Sequence, residues 1–140
     1  MAVSHQGVFV QTPQTSPVSF TNGDGLTKKT LITGGANGTK VVAINAATTD
    51  TAAKVLQLYL TVSAVDYLIS SVSIPASSGL DGTNAAVNML TATMIPSLPV
   101  DNDGQRYVFL KDTTQSVRAA VTSTTTSGKQ LDVIAIAGDF

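Results

Sequence analysis

Every acidic residue in this chain is an aspartate: there are nine Asp and no Glu in 140 residues. Glutamate sits easily inside a helix, whereas the short aspartate side chain competes for the backbone and favours caps and turns. Serine and threonine point the same way. Together they supply 33 residues; Thr fits the pleated surface of a strand, and Ser fits turns. Such a chain is expected to be all-β with many connections. Its length suits one domain with a real core. Cysteine is absent, which removes disulfides and thiolate metal sites.

Charge narrows the possible partners. The formal net charge is -1, and the eight Lys and Arg are scattered along the chain. No basic stripe is present to neutralise phosphates, so nucleic acid is not an expected partner. The purely apolar runs are a few residues long, too short for a membrane span. Residues 1–20 lack the charged start and apolar middle of a signal peptide. The expectation is a soluble protein made in a cytoplasm.

The first 29 residues differ from the rest. MAVSHQGVFVQTPQTSPVSFTNGDGLTKK is polar, with Pro13, Pro17 and three glycines, and its apolar islands are Val8, Phe9 and Val10, then Phe20. Two of the four phenylalanines are a large apolar area to leave in water. Residues 1–29 therefore read as an extended arm that lies on a neighbouring subunit, with Val8, Phe9, Val10 and Phe20 as its contact residues. Residues 30–140 read as the folded domain.

From Thr30 the strand signals are regular. KTLIT and TKVVAIN flank a glycine-rich bend. AAKVLQLYLT alternates, with Leu56, Leu58 and Leu60 on one face and Gln57 and Tyr59 on the other. VDYLISSVSIP follows, with Leu68, Val72 and Ile74 on one face. Ala86, Val87 and Leu90 lie at helical spacing behind Thr83 and Asn84, which predicts one short helix. QRYVFLK, SVRAAVTS and QLDVIAIAG close the chain as a meander; in the last, Leu131, Val133 and Ala135 oppose Ile134 and Ile136. Seven or eight short strands suggest a two-sheet sandwich, of jelly-roll type or immunoglobulin-like.

Tests for chemistry return no candidate. ITGGANGTKVVAIN, residues 32–45, has glycines and a lysine, but Thr39 precedes Lys40, the reverse of a phosphate loop, and VVAIN is β-branched where a helix should begin. Asn37-Gly38 reads instead as a tight hairpin turn. DNDG at 101–104 begins like a calcium loop but lacks the Glu that completes one. The single histidine, His5, is poorly placed to activate a Ser or Thr nucleophile. No pair of aspartates stands out as an acid–base couple. No catalytic residue, cofactor or metal is expected.

FTNGDGLTKKTLITGGANGTKVVAINAATTDTAAKVLQLYL, residues 20–60, resembles small virion proteins of tailed bacteriophages, the cement or decoration proteins of the capsid, like that of Bordetella-type short-tailed phages. YLISSVSIPASSGLDGTNAAVNML, LPVDNDGQRYVFLK and VIAIAGDF extend the likeness to the end of the chain. It is a likeness of overall pattern. The resemblance implies a jelly-roll sandwich that forms a homodimer, sits on the capsid surface of the virion and cements major capsid protein subunits together. It supplies no catalytic or contact residue. The other reading is a carbohydrate-binding or adhesion sandwich of a phage tail or fibre, for which Tyr59, Tyr67 and Tyr107 are the available aromatic rings.

Overall fold

The computed structural model describes residues 11–140. Nine strands are present among them: β1 (Thr12–Thr21), β2 (Lys29–Thr33), β3 (Thr39–Thr48), β4 (Lys54–Val62), β5 (Val65–Ile74), β6 (Val87–Asn88), β7 (Val108–Leu110), β8 (Gln115–Val121) and β9 (Gln130–Asp139). One sheet runs β1-β9-β3, with β6 and β7 sharing the far edge of β3; the other runs β2-β8-β4-β5. Every strand pairing among the described residues is antiparallel. Counting β6 and β7 as one position, two four-position sheets exchange strands as the chain proceeds. That order is the jelly roll of the two expected sandwiches.

The core lies between the sheets. Phe20, Ile44, Leu56, Leu58, Ile74 and Leu131 are among its fully buried side chains. Alternation supplies it: Leu56 and Leu58 of β4 point inward, and so do Leu131, Val133 and Ala135 of β9.

Four expectations need correction. The first concerns the arm. β1 pairs with β9 over ten consecutive residues, from Thr12 opposite Asp139 to Thr21 opposite Gln130. Residues 12–21 are thus a strand of the sandwich, and the boundary at residue 29 does not hold. Polar inward positions disguised it, because Gln14 faces the core side and donates to the Asp139 carboxylate at 2.6 Å. The second concerns the helix. Val87 and Asn88 pair with β3, and the Met89 N–H donates to the Ile44 carbonyl, so the segment is drawn into the sheet. The only helical turn among the described residues is a 3₁₀ turn, Asn22–Asp24, at the corner where the chain changes sheet.

The third concerns residues 34–38. β2 and β3 belong to different sheets, so these residues cross the end of the sandwich and do not close a hairpin. A Cβ on Gly34 would stand 2.2 Å from the Asp112 carbonyl oxygen, so this glycine permits close backbone approach. Of the Asn37-Gly38 pair, only Gly38 has positive φ. The two-residue hairpin is elsewhere, between β4 and β5, where Val62 faces Val65 and both Ser63 and Ala64 take positive φ, at 48° and 67°. The fourth is Leu68. The ladder slips after Leu58, which faces Ser70 while Tyr59 faces Leu68. Ile69 is the extra residue, and this bulge turns Leu68 to the outside.

Candidate interaction surface

The two outer faces of the sandwich differ in kind. On the first sheet, strand register sets Pro13, Gly138, Lys40 and Phe109 in one row across four strands. Thr15, Ile136 and Ala43 make the next row, followed by Pro17, Ile134 and Asn45. Ile134 is 38% exposed, Ile136 43% and Phe109 53%. Two prolines, Ala43 and Gly138 keep the relief low around them. Phe109 leans on Tyr107, edge to face at 5.0 Å, and on Phe140 at 5.7 Å. The outcome is a shallow, largely apolar face across β1, β9, β3 and β7, crossed by Lys40, whose ammonium pairs with Asp101 and stands 4.8 Å from the centroid of the Tyr107 ring. Contiguous exposed apolar surface is uncommon and marks places where something docks.

The outer face of the second sheet is mostly polar, with Leu68 its exposed apolar exception. Thr30, Gln57, Tyr59, Thr61, Asp66, Ser71 and Arg118 share it by register. Asp66 gathers this face. It accepts from the Thr61 hydroxyl at 2.5 Å and the Lys28 ammonium at 3.0 Å, with Arg118 at 3.5 Å. The Thr61 hydrogen bond, then Lys28, hold its carboxyl below the ordinary range. Lys28 also stands 4.1 Å from the centroid of the Tyr59 ring. That cation occupies a face of the ring a sugar would need.

The residues tested for chemistry are engaged in structure. Lys40 lies on β3 and meets Asp101 at 2.9 Å. Asp101 further accepts from the backbone N–H groups of Asp103 and Gln105. Its carboxyl is held low, by Lys40 first and then by Gln105. The DNDG segment is thus a turn closed on its own aspartate. Among the described residues, no three His, Cys, Asp or Glu side chains converge as a metal site would require. An open depression of about 130 Å³ beside Ser78, Gly79 and Asp132 is small against the several hundred Å³ of ordinary ligand sites.

Of the four contact residues expected from the sequence, Phe20 is fully buried against the core and can touch no partner. Val8, Phe9 and Val10 lie outside the described residues. Sequence reading missed Ile134, Ile136 and Phe109. The signal was present in QLDVIAIAG, a strand apolar at both parities, which fits a strand covered on both faces.

No family model matches the sequence, and no curated protein matches it significantly. A solved chain from a cyanophage Pam1 capsid asymmetric unit is similar, at 15% identity and a TM-score of 0.45, over 98% of this chain and 90% of that one. At that distance the likeness carries no argument about function.

Proposed function

We propose that this chain is a structural virion protein that binds the outside of a tailed-phage capsid and cements neighbouring major capsid protein subunits. The observation that carries the reading is the contrast between the faces of the sandwich, a largely apolar one on the β1-β9-β3 sheet and a mostly polar, self-neutralised one on the other. A rigid slab with one adhesive side suits a shell protein that must lie flat on a lattice. The phage assignment rests on the sequence pattern of residues 20–60 and the segments after it. The mechanism is adhesion, with no bond made or broken in a substrate. Ile134, Ile136 and Phe109 are the principal contacts in this reading, and Val8, Phe9 and Val10 add to them.

The test mixes purified protein with undecorated shells and images them by electron microscopy. Ordered extra density at fixed lattice positions is expected. Ile134→Asp with Ile136→Asp should weaken binding at least tenfold, because lost apolar contact and a desolvated charge act together. Shells without added density would sink the capsid reading. Equal decoration by the double variant would remove this face from it.

A further inference from the structure

We propose that the depression beside Asp132 seats an arginine side chain of the partner that covers the apolar face. The depression continues that face. Strand register puts Ser19, Asp132 and Ala47 in the row after Pro17, Ile134 and Asn45, so Asp132 stands two residues along β9 from Ile134. The β6 pairing stops at Asn45 and Ala46. Past it, the loop at Ser78 takes over the edge of β3, and the Thr48 N–H donates to the Ser78 carbonyl at 2.9 Å. Gly79 and Leu80 of that loop line the depression with Ala47 and Thr49. The loop lies close, since a Cβ on Gly79 would stand 3.1 Å from that of Ala47. The space of about 130 Å³ is that of roughly four waters. It is too little for a cofactor and enough for one guanidinium group.

Charge selects the occupant. Asp24, Asp50, Asp66 and Asp101 each meet a lysine or arginine of the same chain. Among the described residues, Asp132 meets none. Its carboxylate accepts from the Ser19 hydroxyl at 2.5 Å and from the Gln130 amide at 3.0 Å, both neutral donors. They hold the carboxylate in place and leave its charge uncompensated. A partner laid over Ile134 and Ile136 would strip water from this charge, and that costs binding unless the partner brings a cation.

Arginine suits the site better than lysine. Its guanidinium is flat and weakly hydrated, so it can lie against Ala47, Gly79 and Leu80 while its fork donates to the carboxylate; an ammonium holds its water more tightly. At the other end of the face, Lys40 is already paired with Asp101. A partner whose apolar strip ends in one arginine therefore gains a charge pair in one orientation only, which fixes how it docks. On the cementing reading, on which the partner's identity rests, that arginine belongs to the major capsid protein. The preference of the depression for a guanidinium is independent of it.

Two measurements test this. In amide NMR spectra of the full chain, acetyl-leucyl-arginine amide should shift Ala47, Ser78 and Gly79 saturably, with half-saturation below about 100 mM. The citrulline analogue, of similar shape but neutral, should leave them unmoved, and the lysine analogue should bind at least threefold more weakly. The Asp132→Asn protein should not respond to the arginine peptide. On undecorated shells, Asp132→Asn should weaken decoration about tenfold with Tm unchanged. Ala47→Leu, which fills the depression and keeps the charge, should do the same. No saturable shift with the arginine peptide, an equal one with citrulline or lysine, or a shift that survives Asp132→Asn would overturn the proposal. So would shells that take both variants as tightly as the wild type. Shells that the wild type itself leaves bare would end the capsid reading, while the peptide titration still decides the arginine site.

Discussion

Truncating Phe20 to alanine distinguishes a strand from an arm. Read from sequence, Phe20 is a contact residue on a free segment, and losing its ring should leave the folded domain as stable as before. In the structure it is wholly buried, on β1 opposite Leu131, itself wholly buried. Removing a buried phenyl ring loses its transfer free energy and leaves a cavity, which costs about 3–5 kcal/mol. Domains of this kind are stable by only about 5–15 kcal/mol, so the loss is about a fifth of the total or more. With a urea dependence of about 2 kcal/mol per molar, the unfolding midpoint should fall by about 2 M, with the slope unchanged. Far-ultraviolet circular dichroism across a urea series measures both. A shift below about 0.3 M would place Phe20 at the surface and refute the assignment of residues 12–21 to the sandwich.

Three further perturbations read other parts of the fold. Replacing Ser63-Ala64 by Asn-Gly puts residues that accept positive φ where two ordinary ones are held there, and should stabilise by about 1 kcal/mol, raising Tm by about 4 °C; an unchanged or lower Tm would contradict the turn. Gly34→Ala drives a methyl against the Asp112 backbone and should destabilise by about 2 kcal/mol or more in the same urea assay, whereas full tolerance would show that the crossing is looser than described. Asp50 governs acid stability. Burial pushes its carboxyl up, but the Thr126 and Ala52 N–H groups, the Thr126 hydroxyl and Lys54 together bring it down to about 2 from an ordinary 3.8. A depressed folded-state pKa contributes stability that is complete above pH 4 and lost as pH falls toward 2, here about 2 kcal/mol. Asp50→Asn should flatten that stretch of the stability–pH curve, and an unaltered slope would clear Asp50 of the role.

What the sequence made legible was alternation, and what it concealed was pairing between distant segments. Leu56, Leu58, Leu131, Val133 and Ala135 announce their inward faces by period alone, and each is buried. Asn37-Gly38 announces a hairpin by equally good local chemistry. Yet β2 pairs with β8 and β3 with β9, and those long ladders decide where the bend leads. Ala86, Val87 and Leu90 offered a helical face that two residues of pairing with β3 override. β1 was hidden because Gln14 and Ser16 occupy inward positions near the end of the sheet. Leu68 was misplaced by a bulge, since one extra residue reverses every later side chain. The candidate surface stayed hidden for a related reason: Ile134 and Ile136 look like core residues until the sheet order shows nothing of this chain described above them.

The energy available from that surface bears on how such a protein could act. Fully burying an isoleucine or phenylalanine side chain is worth about 1.5–3 kcal/mol. Ile134 and Ile136 retain about two-fifths of their exposure and Phe109 about half, so covering all three would yield about 2–4 kcal/mol. Association alone costs at least that much in lost translation and rotation. A single copy therefore has little margin through these three side chains, and useful adhesion needs either more contact or several contacts at once. Two faces held in one molecule gain in this way: once one is seated the other binds as if locally concentrated, typically in the millimolar range for a short link. The cementing role therefore predicts that affinity for undecorated shells rises with the number of faces offered together. A tandem fusion of two copies through a flexible linker should bind shells at least tenfold more tightly than the single chain. If the two bind equally well, each copy holds on by itself, and the contact must extend well beyond the three side chains that define the face.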